Sequence, residues 1–326
     1  MERKTKKSMG LTALVLALTL GIAPGCDVEL DGDEGNFTFR YLESERDVAS
    51  DLAVGARVDI EVRDAETEAV LALDQVYSED SQVIEVVDEQ ARQFTLEAVS
   101  AGRARIGADA TVHGEELSDS VEIRSAEVGE VELSDKCSDG VFLTDNRLRA
   151  GYHMRDAAGG RLTGYGHYPV SVEPAEGGTV NEEIRFLGSL EILTGSEPGT
   201  FEIVPDVDGG SLSFELIAAA DVDELDLVTD HESTAPVVNV GHSEAAVVYG
   251  LQAGGRTVCG PLDTSVEITS ETPEICQAEP GLFFGELDVL SMHTVVVEGL
   301  EAGDCEITLS VVDTDLSETF QVEIRD

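Results

Sequence analysis

Cysteine and histidine are the residues of this chain best suited to chemistry, and their spacing limits what they can do. The five cysteines include no C-x-x-C pair: Cys26, Cys137, Cys259, Cys276 and Cys305. Zinc sites in proteins usually draw on such closely spaced ligands. None of the six histidines lies in an H-E-x-x-H spacing. The sequence therefore predicts neither a metal centre built from these residues nor an enzyme.

Two acidic loops are better candidates for binding a cation. Asp206 and Asp208 lie between two alternating segments, and Asp221 and Asp223 follow in the next acidic run. Calcium takes about six to eight oxygen ligands, which such loops can pool where two domains meet. Aspartate is also a usual residue of tight turns and linkers. The sequence leaves both interpretations open, a calcium site and a pair of polar turns.

A group of aromatic residues is the candidate site for an organic ligand. Tyr165, His167 and Tyr168 follow one another closely in the middle of the chain. Amphipathic rings can stack on a sugar or anchor a protein interface. The chain has no Trp, which weakens the case for a sugar platform. The alternative is that these rings are ordinary strand residues.

The charge of the chain excludes one class of partner. It carries 67 acidic and 20 basic residues, a formal net charge of −47 at pH 7. A field of this sign repels nucleic acid and anionic lipid headgroups. We therefore expect no nucleic-acid partner. Such an acidic composition is typical of proteins adapted to salt, and cation binding is the alternative explanation.

Residues 1–25 have the features of an export signal. A basic segment precedes an apolar run at 11–22, which is shorter than the roughly 20 apolar residues of a membrane-spanning helix. Small residues then lead to Cys26. The segment resembles a bacterial lipoprotein signal, although Ala23 and Pro24 depart from the usual lipobox. The resemblance implies that lipid on Cys26 anchors the chain to the cell envelope, facing the periplasm or the cell surface. Plain secretion is the alternative.

One pattern occurs three times in the rest of the chain, at 97–123, 192–217 and 297–324. Each copy reads as a glycine turn, an alternating strand, a polar turn and a second alternating strand. Two glycine positions recur at nearly equal separations: Gly55 and Gly102, Gly151 and Gly199, Gly254 and Gly303. The spacing predicts repeats of roughly 100 residues. Alternation with one apolar face is typical of half-buried antiparallel strands, so the sequence predicts an all-β fold of β-sandwiches.

Several segments resemble group 2 of the bacterial immunoglobulin-like domains (BIG2). The resemblance is carried by the central segment at 77–89 and the turn and strand at 98–108. In the last repeat it is carried by 270–276 and 299–309. It implies tandem immunoglobulin-like β-sandwiches, which are common in surface proteins, adhesins and spacers. A fold of this kind does not by itself specify a function.

The resemblance also bears on the cysteines. If Cys26 is lipidated, the other four predict two disulfides in an oxidising compartment. Alignment of the repeats places Cys259 and Cys305 on the strands that a disulfide joins in immunoglobulin domains. This favours Cys259–Cys305, with Cys137–Cys276 linking the second and third repeats. The alternative is Cys276–Cys305 within the third repeat.

The predicted organisation has five parts. They are a signal peptide, an acidic tether and three immunoglobulin-like domains at residues 1–25, 26–44, 45–127, 128–230 and 231–326. The predicted function is non-enzymatic: an envelope lipoprotein that acts as a binding, adhesion or spacer module toward an envelope protein, surface protein or glycan. The alternative is a surface sensor that binds calcium or carbohydrate.

Overall fold

The fold is built almost entirely of β-strands. The computed structural model describes residues 29–42, 51–135, 137, 141–185, 188–228, 236–262, 265–281 and 293–326. The predicted signal and Cys26 lie outside these residues. Two short 3₁₀ helices, Ala175–Gly177 and Ala219–Asp221, are the only helices in the described chain, and neither is long or apolar enough to span a membrane.

The strands fall into three consecutive groups, which we call the first, second and third repeats. The first repeat contains β1 (Glu29–Asp31), β2 (Phe37–Tyr41), β3 (Asp51–Ala53), β4 (Arg57–Asp64), β5 (Leu73–Ser78), β6 (Ile84–Glu89), β7 (Gln93–Ala98), β8 (Gly102–Val112) and β9 (Glu115–Ala126). The second contains β10 (Glu130–Ser134), β11 (Val141–Leu143), β12 (Arg147–Arg155), β13 (Arg161–Thr163), β14 (Val170–Glu173), β15 (Gly178–Val180), β16 (Ser189–Thr194), β17 (Gly199–Pro205), β18 (Asp208–Gly209) and β19 (Leu212–Ile217). The third contains β20 (Glu224–Val228), β21 (Val237–Asn239), β22 (Ser243–Ala253), β23 (Arg256–Cys259), β24 (Val266–Ser270), β25 (Cys276–Gly281), β26 (His293–Gly299), β27 (Gly303–Val311) and β28 (Ser317–Arg325).

Each repeat is a sandwich of two sheets around its own hydrophobic core. In the first repeat, β2-β4-β7-β6 faces β3-β9-β8-β5. The corresponding pairs are β10, β12, β16 and β15 against β11-β19-β17-β14 in the second repeat, and β20, β22, β26 and β25 against β21-β28-β27-β24 in the third. The prediction of an all-β, immunoglobulin-like sandwich fold is confirmed.

The thrice-repeated pattern forms the same hairpin in every repeat. Gly102, Gly199 and Gly303 each begin a strand that pairs antiparallel with the last strand of the repeat. Its alternating apolar side chains are buried, as Ile106 and Ile307 illustrate. Period-two alternation therefore identified the strands and their inward faces correctly.

The predicted equivalence of Gly55 with Gly151 and Gly254 is wrong. Gly55 makes the turn after β3, and its N–H donates to Ala98 O at 2.7 Å. The equivalent donors are Asp145, which bonds to Gly195 O at 3.0 Å, and Gly241, which bonds to Gly299 O at 2.7 Å. All three turn residues have positive φ, at 85°, 53° and 76°. Aspartate tolerates this conformation better than most residues, so the turn survives without a glycine to mark it.

Two predicted boundaries also need correction. The tether predicted at 26–44 contains β1 and β2, and Phe37, Phe39 and Tyr41 are buried in the first core. The carboxylate of Asp119 fixes this segment by accepting hydrogen bonds of 2.8–2.9 Å from backbone N–H groups at residues 34, 36 and 37. At the other end, the boundary predicted at 231 lies after β20, which pairs with β22 of the third repeat. The predicted tether joined the acidic stretch at 27–34 to a strand in which Phe37, Phe39 and Tyr41 alternate with polar residues, and this alternation was the overlooked sign of a strand.

Candidate functional site

The candidate functional sites lie at the two junctions between consecutive repeats, which share a sheet and are held by a buried carboxylate or a disulfide. At the first junction, the short strand β3 lies between β9 of its own repeat and β13 of the second repeat, parallel to both. At the second junction, β11 lies in the same way between β19 and β23 of the third repeat. One sheet of the first repeat therefore continues into the second repeat, and one sheet of the second continues into the third.

The two junctions share their residue register and a glycine. Leu162 lies opposite Asp51 at the first junction, and Val258 lies opposite Val141 at the second. The added strands end in Thr163-Gly164 and Cys259-Gly260, and these glycines have φ of 126° and 107°. A Cβ on Gly164 would lie 2.6 Å from Ala56 Cβ, and one on Gly260 would lie 2.7 Å from Arg147 O. Both conformation and space therefore require glycine at this point.

A buried carboxylate closes the first junction. Asp59 on β4 is 3% exposed and accepts hydrogen bonds from Thr95 Oγ1 at 2.5 Å, Tyr165 Oη at 2.9 Å and Arg185 Nη1 at 2.8 Å. The Arg185 guanidinium also lies 5.4 Å from the centre of the Tyr165 ring. Thr95 belongs to the first repeat, whereas Tyr165 and Arg185 belong to the second. Because a buried charge is costly unless it is paired and hydrogen-bonded, this carboxylate favours the docked arrangement.

The predicted aromatic site is part of this junction. Tyr165 is 5% exposed, and its backbone pairs with Arg57 through two hydrogen bonds of 2.8 and 2.9 Å. His167 packs on the turn of the first repeat, where a Cβ on Gly55 would meet its imidazole at 3.0 Å. Tyr168 is buried within the second repeat and donates to Ile184 O at 2.9 Å. The three rings therefore do not form an exposed stacking platform.

Beside the buried carboxylate is a shallow, open depression of about 550 Å³. Its lining combines two guanidinium groups with two carboxylates and one phenol ring: Arg57, Arg185, Glu182, Glu183, Tyr165 and Gly166. Charged groups of both signs in an open depression can form hydrogen bonds and ion pairs with a polar ligand or a partner surface. Among its lining residues there is no Ser, Cys or His that could act as a nucleophile with an adjacent base.

A disulfide fixes the second junction, and it corrects the favoured cysteine pairing. Cys137 and Cys259 are bonded, with their Cα atoms 6.1 Å apart, and both are buried in the core of the second repeat. Cys259 is at the end of β23, which leaves the third core to pair with β11. The favoured pairing of Cys259 with Cys305 is therefore wrong, and so is Cys137 with Cys276. A disulfide between the second and third repeats exists, but Cys137 makes it with Cys259 and not with Cys276.

The other disulfide is the predicted alternative within the third repeat. Cys276 and Cys305 are bonded with their Cα atoms 6.0 Å apart, and both are completely buried in the third core. Cys276 begins β25 and Cys305 lies on β27, so the bond joins the two sheets of one sandwich. It therefore stabilises a single repeat, whereas the Cys137–Cys259 bond joins two.

The four aspartates of the predicted calcium site make separate local contacts. Asp206 lies 3.4 Å from Ser171 Oγ, and Asp208 is exposed on β18. Asp221 caps a 3₁₀ helix by accepting from the Ala218 N–H at 3.2 Å, and Asp223 accepts from the Gly254 N–H at 3.0 Å. In the described part of the chain no three His, Cys, Asp or Glu side chains are grouped to hold a metal ion.

Sequence reasoning missed Asp59 and Arg185 altogether. Asp59 alternates with Val58 and Ile60, whose side chains enter the first core, so the pattern places it on the solvent face. Asp59 is buried on that face between Thr95 of the first repeat and two side chains of the second, Tyr165 and Arg185. The sequence does carry a sign of the junctions themselves: segments 162–164 and 258–260 each consist of an apolar residue, a small residue and a glycine at the end of a hairpin.

The chain has a low sequence similarity to several solved bacterial surface proteins. No protein-family model matches the chain, and no curated protein matches it. Among solved structures, the chain is similar to FdeC, an Escherichia coli adhesin, with 14% identity, coverage of 84% of this chain and 94% of that one, and a TM-score of 0.24. It is also similar to invasin, a bacterial integrin-binding protein, with 13% identity, coverage of 88% and 60%, and a TM-score of 0.25. Domains 1–6 of the surface-layer protein SbsC give 15% identity, coverage of 91% and 40%, and a TM-score of 0.25. Superpositions this poor carry no argument about the function of the chain.

Proposed function

We propose that the chain is a non-enzymatic protein of the bacterial cell envelope, anchored by lipid on Cys26, whose joined sandwiches form a stiff stalk for a binding surface. The observation that supports the stalk is the repeated junction, in which a strand of one repeat is inserted between strands of two repeats. A freely jointed linker between domains would have no need for shared sheets, a buried carboxylate or a disulfide. The partner is an envelope protein, a surface protein or a glycan.

Stiffness at the first junction is tested by substituting Gly164. We expect Gly164→Ala to loosen the junction, because its Cβ would overlap Ala56 and its φ is positive. Small-angle scattering of the full chain should then show a broader distribution of dimensions. Gly159→Ala is the matched control, since Gly159 lies in the same hairpin with φ of 83° but has no atom within 4 Å of its Cβ position. Equal scattering from the two variants would contradict the stalk.

Anchoring is tested by mass spectrometry of the mature protein. We expect the amino-terminal peptide to begin at Cys26 and to carry two or three acyl chains, because the preceding segment resembles a lipoprotein signal. Each buried CH₂ adds about 0.8 kcal/mol to membrane binding, so two chains give stable anchoring. Cys26→Ser should release the protein from the membrane fraction. An unmodified Cys26 in the mature protein would overturn the anchor but would leave the stalk untouched.

A further inference from the structure

The short strand that builds both junctions occurs a third time, as β21 in the third repeat. It pairs parallel with the last strand of its repeat, as β3 and β11 do. The register aligns the three strands by their middle residues: Leu52 opposite Ser125, Phe142 opposite Leu216, and Val238 opposite Ile324. Whereas β3 and β11 each have a strand on both sides, β21 pairs with β28 alone among the described residues. In the part of the third repeat that the structure describes, β21 is thus a copy of the junction strand whose outer edge has no neighbour.

One side chain of β21 is more exposed than its counterpart at the second junction, as the absence of a neighbouring strand requires. The middle residues are buried in both, at 3% exposed for Phe142 and 1% for Val238. Val141, which precedes Phe142 and pairs with β23 at the second junction, is completely buried. Its counterpart Val237 is 38% exposed. An apolar β-branched side chain therefore lies uncovered beside an open strand edge, which is a ready template for pairing with another chain.

The backbone of β21 is also oriented for strand addition. Pro236 O accepts from the Glu323 N–H at 2.8 Å, and the Val240 N–H donates to Arg325 O at 2.8 Å. Because successive peptide groups of a strand point to opposite edges, the N–H groups of Val237 and Asn239 point away from β28. At the two filled junctions, the corresponding N–H groups of β3 and β11 face the added strands β13 and β23. The open edge thus offers the same hydrogen-bonding pattern.

We propose that β21 docks a β-hairpin of a partner protein, which adds a parallel strand to this edge. The two internal junctions define the chemistry of that strand: an apolar residue, a small residue and a glycine, as at 162–164 and 258–260. Backbone hydrogen bonds provide the affinity of such strand addition, and the side-chain positions provide its specificity. The inference rests on the proposed function, a stalk that carries a binding surface, and names the kind of partner bound there.

A second copy of this chain does not fit the edge. In a second copy, the hairpins of the second and third repeats are already paired at its own junctions, so its first repeat would have to supply the hairpin. That repeat has no glycine between Gly55 and Gly102. In the corresponding hairpin, Leu71 donates its N–H to Val62 O at 2.9 Å and packs in the first core. We therefore assign this edge to a partner protein that carries the glycine-ended strand.

The test uses the full chain and a cyclised hairpin peptide with the sequence of residues 249–260, in which serine replaces Cys259. After its hairpin form is verified by NMR, we expect saturable binding and a roughly tenfold or greater slowing of hydrogen exchange at the Val237 and Asn239 amides. A peptide with Gly260→Val should not bind, because the junction has no space for a Cβ there. If both amides are already protected in the free chain, the edge is filled and the proposal is overturned.

Variants of Val237 make the assignment specific. Val237→Pro removes the outward N–H and should weaken peptide binding about tenfold or more, since Pro cannot donate to the added strand. Val237→Thr keeps both the N–H and the branched shape and should bind as the parent does. Both variants must melt like the parent. Binding that is insensitive to Val237→Pro would overturn the proposal, and so would self-association that this variant abolishes. Neither result would affect the scattering or mass-spectrometry tests, which do not involve β21.

Discussion

Asp59→Ala should lower the free energy of unfolding of the first repeat by about 3 kcal/mol. The change leaves the hydroxyls of Thr95 and Tyr165 buried without their acceptor, and each unsatisfied buried group costs roughly 1–3 kcal/mol. The loss of the Arg185 contact adds little, because that guanidinium is 60% exposed and is screened by solvent. Since the chain has no Trp, differential scanning calorimetry is the measurement of choice.

Glu61→Ala is the matched control for this prediction. Glu61 is on the same strand and carries the same charge, but its ion pair is with Arg63, two residues away. We expect a change of less than about 1 kcal/mol, as for most surface ion pairs. A double-mutant cycle of Asp59→Asn and Tyr165→Phe should give a coupling energy of about 0.5–3 kcal/mol across the junction. Equal losses from Asp59→Ala and Glu61→Ala would contradict a special role for the buried carboxylate.

Removal of the disulfides should have the largest effects on stability, and the two bonds should differ in kind. Replacing both Cys276 and Cys305 with alanine opens a loop with a sequence separation of 29, which we expect to cost about 3–4 kcal/mol in the third repeat alone. Replacing both Cys137 and Cys259 opens one of 122 residues, for which the expected cost is about 5 kcal/mol. Alanine avoids burying a new hydroxyl.

The two double variants serve as controls for each other. Calorimetry should show one lowered transition for the Cys276 and Cys305 variant. For the Cys137 and Cys259 variant, the second and third repeats should unfold separately, because the disulfide that ties their folded parts together is gone. A variant lacking the Cys137–Cys259 bond whose repeats still unfold together would show that the shared sheet alone couples them. Retention of the parent melting profile by both variants would contradict the assigned bonds.

The sequence predicted the strands that follow period-two alternation and missed those that are too short to show a period. The hairpins that begin at Gly102, Gly199 and Gly303 are long, and each has one apolar face, so their positions were correct. The strands β3 and β11 have three residues each, which is fewer than a periodic pattern needs. At the second of them the turn glycine is replaced by Asp145, so the spacing of glycines pointed to a different place.

The junctions could not be predicted because they depend on contacts between distant parts of the chain. Asp59 and Arg185 are 126 residues apart, and nothing near either residue marks it as a partner of the other. The error in the cysteine pairing has the same origin. Cys259 follows a strand pattern that belongs to the third repeat, but its strand crosses to the second, and local alternation does not reveal such a crossing.

The shared sheets impose an order on folding. A chain that emerges from a ribosome or a membrane pore with its amino end first presents the first repeat while β13 is still to come, so the outer edge of β3 has no neighbour. Arrival of the second repeat closes that edge and opens the one at β11, which the third repeat closes in turn. Open strand edges favour mispairing with other chains. At each stage the edge that is open to such mispairing belongs to one short strand and not to a whole sheet. The fidelity of folding therefore depends on how quickly the next repeat follows.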